Sequence, residues 1–114
     1  MTTEQDPNGL GQHEPGAKLD AGKIQMGLVM NGFPRALMAV GEVATFGAKK
    51  YSPNGWMKVE NGVTRYTDAM YRHALTEPME AVDPQTGLLH AAHVAWNALA
   101  RLELMIQGAT GTLE

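Results

Sequence analysis

The chain has no cysteine among its 114 residues. That excludes disulfides and thiolate metal ligands, and it fits a reducing cytoplasm. It has no basic excess either. A formal net charge of −3 argues against binding a nucleic acid polymer, which favours a basic surface, yet leaves room for a local basic pocket. No apolar run approaches the ~20 residues needed to span a bilayer, and no signal-peptide pattern opens the chain. The expectation is a cytoplasmic protein with no membrane partner. Residues 1–17 lack hydrophobic periodicity and are rich in Gly, Pro, Gln and Glu, which predicts a polar N-terminal arm. At this length, residues 18–107 can form one small domain, and residues 108–114 read as a frayed C-terminal tail.

The most informative segment runs from Asp83 to Asn97, DPQTGLLHAAHVAWN. It predicts a turn and then a helix, from about Gly87 to Gln107, that is apolar on almost every side. His90, His93, Asn97 and Arg101 interrupt the apolar surface and fall on one stripe at about 100° per residue. Leu88, Ala92, Ala95, Leu99, Leu102 and Ile106 form the opposite stripe, which reads as the packing face. A helix that is apolar nearly all round is usually buried, so its imidazoles and carboxamide must meet partners, a ligand or a metal.

Two further helices are expected. The first runs from about Pro34, near its first position, to Lys50, and is closed by Ser52-Pro53-Asn54-Gly55. The second runs from about Arg65 to Glu77, with Thr64 as N-cap, an Asp68–Arg72 pair four residues apart, and Pro78 as its stop. Residues 18–30 read as an extended or irregular lead-in, and Trp56 to Asn61 as a loop or short hairpin. The fold class is all-α: three main helices with long ordered loops. Leu89, Val94, Trp96, Leu104 and Met105 point away from the presumed packing stripe of the last helix. Covering them predicts a homo-oligomer, since burying one large side chain is worth ~1.5–3 kcal/mol.

Several side chains carry candidate chemistry. Lys49, Lys50, Tyr51, Asn54 and Trp56 can place a cation on phosphate and an aromatic ring on a base. The Arg72-His73 pair beside Asp68 suits phosphate neutralisation and water activation. Asp68, Glu42, Glu80 and Asp83 are the carboxylates able to hold Mg²⁺, with Asp68 preferred and Asp83 read as a cap on the turn into the last helix. His90, His93 and Asn97 suit hydrogen bonding to phosphate or base better than direct ligation of Mg²⁺, which prefers oxygen.

Together TFGAKKY (45–51), PNGW (53–56), RYTDAMYRH (65–73), the Asp83–Asn97 segment and DAGK (20–23) resemble a bacteriophage and prophage family, the dATP/dGTP diphosphohydrolase-like proteins. The resemblance extends to Leu104. It implies an α-helical protein handling a small-molecule purine nucleotide inside an infected bacterial host. It implies hydrolysis of a dNTP to a dNMP and pyrophosphate with Mg²⁺ held by Asp68 and Glu42. His73, His90, His93 and Asn97 become catalytic candidates, and Lys23, Lys49, Lys50, Tyr51, Asn54, Trp56 and Arg72 nucleotide-binding candidates. Related sequences often carry glutamate where this chain has Ala39, leaving Glu42 alone on its helix. That departure motivates the alternative of a non-catalytic oligomer that sequesters a nucleotide immune signal.

Overall fold

A computed structural model describes residues 4–110. The last four residues of the expected tail lie outside this range. The chain forms two compact units, one up to Gly32 and one from Phe33 onward. Among the described residues there are helices and turns but no strands, only one isolated antiparallel bridge between Val82 and Leu89. No helix among them is long and apolar enough to cross a membrane.

The first unit is organised by turns rather than by hydrophobic periodicity, apart from the short helix α1 (Gly27–Met30). The lead-in expected to be extended or irregular thus contains a helical turn. The buried Asp6 carboxylate organises the arm: Oδ2 accepts the Lys18 N–H at 2.7 Å, and Oδ1 accepts the N–H of Asn8 at 2.7 Å. The Ala21 N–H donates to the Gln5 carbonyl at 2.9 Å, closing the loop. These donors, the Lys18 N–H first, hold the Asp6 carboxyl below its ordinary value against the opposing effect of burial. A depressed carboxyl pKa stabilises the folded loop above the unfolded value, and the stabilisation is lost as pH falls through the folded one. We therefore expect amide protons at Asn8 and Lys18 to lose exchange protection below the ordinary carboxylate range. Asp6→Ala should lose it already at neutral pH.

The second unit holds α2 (Pro34–Lys50), α3 (Gly62–Thr76) and α4 (His90–Thr110). The bounds of α2 are those expected: Pro34 occupies the first turn, where its missing N–H costs nothing, and Lys49 and Lys50 face the negative end of the dipole. Residues 55–58 form a 3-10 turn, not a hairpin. It is entered through Asn54 in the left-handed region at φ 59°, which asparagine tolerates. Helix α3 begins two residues before the expected Thr64 cap, at Gly62, which is buried against α4. A Cβ at Gly62 would lie 2.6 Å from Leu104 Cδ1, so glycine permits the close approach.

Helix α4 starts at His90 rather than Gly87. The three residues before it are used otherwise: Gly87 takes φ 73°, its N–H donates to the Asp83 carbonyl, and Leu88 O accepts the Asp83 N–H. The His90 N–H then donates to Ala81 O. The packing face of α4 is turned from the expected stripe towards the imidazole row, with Ala92 the one member of that stripe that is buried. Its principal partner is α3, with α2 a lesser one. The residues it buries are His90, Ala92, His93, Asn97 and Ala100, while Leu99, Leu102 and Ile106 remain about half exposed. The imidazole row faces inward because α3 offers it polar partners. The inward side also includes Trp96 and Leu104.

Candidate functional site

Three elements bring the polar groups together. His73 comes from the last turn of α3, Asp83 from the following loop, and His90, His93 and Asn97 from the first two turns of α4. His73 Nδ1 lies 2.8 Å from His90 Nδ1, and the His73 ring stacks on His93 with centroids 4.4 Å apart and planes within 8°. His90 Nε2 is 3.3 Å from Glu80 Oε1, and His93 Nε2 is 2.8 Å from the Thr86 hydroxyl, which also accepts the Leu88 N–H. Asn97 Nδ2 donates to the His93 carbonyl at 2.8 Å. Arg101, the fourth member of the stripe, donates from Nε to Thr67 Oγ1 at 2.7 Å. Among the described residues, no buried side-chain nitrogen or oxygen lacks a partner.

Burial and the surrounding imidazoles hold His73 below the ordinary histidine value; burial does the same for His93 despite the nearby Asp83 carboxylate. Burial alone would raise Asp83, but the N–H groups of Gln85 and Thr86 on Oδ1, with His93 and His73 nearby, outweigh it and keep the carboxyl ionised below its usual range. The Asp83 turn cap read from sequence is therefore present, but only one carboxylate oxygen is used for it. Oδ2 is left facing His73 Nδ1 at 3.8 Å.

In front of this cluster lies a cavity of about 780 Å³. His73, Asp83, Thr86, His93 and Asn97 form one wall. Lys50, Arg65 and Arg72 supply positive charge, and Tyr51, Asn54, Trp56, Tyr66 and Trp96 supply ring and amide surface. Lys50 Nζ sits 5.1 Å from the Tyr51 ring centre. Trp56, Tyr66 and Trp96 form a triangle of edge-to-face contacts, pinned by the Tyr66 hydroxyl donating to the Trp56 carbonyl at 2.9 Å.

The cavity collects Lys50, Tyr51, Asn54, Trp56, Asp68, Arg72, His73, His93 and Asn97 from the expected site. His90 sits behind this wall. Glu42 and Lys49 are exposed and line a separate shallow groove beside Leu37 and Leu88, because the pitch of α2 turns them away from Lys50. Lys23 belongs to the N-terminal unit, where its Nζ is 3.6 Å from Glu4. Asp68 lines the cavity but makes no ion pair with Arg72. The expected pairing of Asp68 with Glu42 around Mg²⁺ is not formed. Among the described residues, a group that can hold a metal ion is His73, Asp83 and His90, whose ligand atoms all lie within 4.8 Å of one another. Two imidazoles and one carboxylate fit magnesium poorly, since it demands oxygen donors. Arg65, Thr86 and Trp96 lie outside the site residues that the sequence marks, and Asp83, one of its four candidate carboxylates for Mg²⁺, reads there chiefly as a turn cap. A TDxxxxH-like spacing carries no cue that brings α3 to a loop beyond it.

A family model described as dATP/dGTP diphosphohydrolase, N-terminal, matches residues 13–112. The chain belongs to this family of nucleotide-enzyme N-terminal regions. Over 81 residues it is 37% identical to the dATP/dGTP diphosphohydrolase of Salmonella phage PMBT28, an alignment covering 70% of this chain and 26% of that protein. The chain thus spans about a quarter of the length of the curated relative it matches. No solved structure matches it.

Proposed function

We propose that the helical unit binds a purine deoxynucleoside triphosphate in the 780 Å³ cavity and that the imidazole wall serves its hydrolysis to a nucleoside monophosphate and pyrophosphate. One observation carries the reading: a cavity within the usual ligand-site range of about 300–1,000 Å³ is lined by the cations Lys50, Arg65 and Arg72, by aromatic rings, and by the imidazoles of His73 and His93, whose pKa values burial lowers. Arg72, Lys50 and Arg65 suit a triphosphate, Arg by bidentate hydrogen bonds and Lys as a point charge. Trp56 and Tyr51 offer faces or edges to a base. His93 stands where a proton can be held or passed near the phosphates, and the Asn97 carboxamide can hydrogen-bond to a phosphate or base. In the overall reaction one water oxygen is added at the α-phosphorus, the bond to pyrophosphate breaks, and the water's protons go to bases and solvent. The relative's name supports the purine assignment, and the family match supports its transfer to this chain.

The test is calorimetric titration of the full chain with each of the four dNTPs, followed by analysis of the recovered nucleotide. Binding of dATP or dGTP with release of pyrophosphate supports hydrolysis. Tight binding with intact nucleotide recovered would favour capture, and no binding would overturn the reading. Arg72→Ala should weaken dNTP affinity about tenfold or more, the usual loss for a charge-assisted phosphate contact. Glu42→Ala, on the separate groove, should leave affinity unchanged.

A further inference from the structure

We propose that His73, His90 and Asp83 form a three-ligand site for a first-row transition-metal dication such as Zn²⁺, rather than for Mg²⁺. The ligand atoms are the two Nδ1 nitrogens, 2.8 Å apart, and Asp83 Oδ2, 3.8 Å from His73 Nδ1. With metal–ligand bonds of about 2.1 Å, neighbouring donors in a tetrahedral site stand about 3.4 Å apart. The imidazole pair must open by roughly 0.6 Å, the His73–Asp83 pair close by roughly 0.4 Å and the His90–Asp83 pair, within 4.8 Å, close by at most roughly 1.4 Å, adjustments made by side-chain torsions. In the metal-free chain, the Nδ1–Nδ1 contact needs one shared proton. A metal takes the place of that proton, which moves to His73 Nε2, so that both rings are bound through Nδ1 and protonated at Nε2.

The surroundings are built for that state. The Glu80 carboxylate lies 3.3 Å from His90 Nε2, where it accepts the N–H of a ring whose Nδ1 is a ligand. Such carboxylate–histidine pairs commonly orient metal-bound imidazoles. The other oxygen of Asp83, Oδ1, is fixed by two backbone N–H groups, so Oδ2 is aimed while the loop stays rigid. The bonds from Asp83 N to Leu88 O and from His90 N to Ala81 O tie two of the three ligands into one backbone frame. His90 is 4% exposed, whereas His73 and Asp83 line the cavity, so a bound ion is closed on the His90 side and open on the cavity side. Three protein ligands with an open position are the arrangement in which a metal activates water. That last consequence rests on the nucleotide reading; binding of the ion does not.

The experiment uses the untagged full chain, stripped with a chelator and then titrated with Zn²⁺ and Co²⁺ without nucleotide. One Zn²⁺ per chain and a visible Co²⁺ d–d spectrum are expected, with neither displaced by a large excess of Mg²⁺. Asp83→Asn keeps an oxygen for the two backbone donors, so the turn survives, and should weaken Zn²⁺ binding at least tenfold. Glu80→Gln should weaken it about 10- to 100-fold with the stoichiometry unchanged. His13→Ala, in the other unit, should bind as the parent does. Circular dichroism verifies the helices of each variant. The proposal is overturned if the folded parent binds no stoichiometric Zn²⁺, if Mg²⁺ displaces it, or if Asp83→Asn and Glu80→Gln bind like the parent. Because no nucleotide is present, failure of dNTP binding leaves this result standing, and the converse also holds.

Discussion

Replacing Trp96 by alanine should cost the helical unit about 3 kcal/mol and lower its melting temperature by more than about 10 °C. The reason is the scarcity of other apolar anchors. Among the described residues, the buried apolar side chains are Val43, Ala92 and Ala100. The aromatic triangle is what joins α4 to α3 and to the 3-10 turn: Trp96 lies 5.7 Å from Trp56 and 5.5 Å from Tyr66, both edge-on. Deleting a fully buried Trp typically costs 3–5 kcal/mol, and the partial exposure of Trp96 places it at the lower end. Each edge-to-face pair adds about 0.5–1.5 kcal/mol beyond the area lost. The control is Leu99→Ala. Leu99 is 50% exposed on the side of α4 opposite His90, about 60° round the helix from Trp96, and its truncation should cost well under about 1 kcal/mol. Thermal melts of the two variants measure what the aromatic triangle contributes beyond its half-exposed neighbour. A large loss at Leu99 with a small one at Trp96 would refute the aromatic triangle as an anchor of α4.

The second large effect is expected at His93. Alanine there should reduce dNTP turnover by about two to four powers of ten, the range over which positioned acid–base groups act. His93 is the imidazole that combines burial, exposure of one edge to the cavity, a fixed bond to Thr86 and a stacking partner in His73. Steady-state kinetics on dATP and dGTP measure the loss, with the helical circular dichroism signal checked in parallel. Turnover within a few-fold of the parent would remove His93 from the chemistry and leave it as packing for His73.

These two residues also mark how far sequence reasoning reaches. The limits of α2 could be read because Pro34 and the Ser52–Gly55 turn are local signals that tertiary contacts did not override. The identity of the polar stripe on α4 could be read from periodicity. Its direction could not: a 3.6-residue repeat separates two faces but does not say which one finds a partner, and here α3 supplies Thr67 and His73 to the polar face. Asp6 was invisible because its role depends on N–H donors up to twelve residues away in a segment with no repeat. Asp83 was half visible, since an Asp before Pro84 announces a turn while concealing the second oxygen. The separation of Lys49 from Lys50, and of Glu42 from Asp68, follows from helix pitch and packing together, and spacing alone supplies only the first.

The indoles of the aromatic triangle give the molecule an optical property. The chain has two tryptophans, Trp56 and Trp96, and both belong to the cavity wall. Every photon of its indole emission therefore originates beside the candidate ligand. A guest stacking there must quench or shift the whole signal, so occupancy can be followed in the unlabelled protein, without dyes or engineered probes.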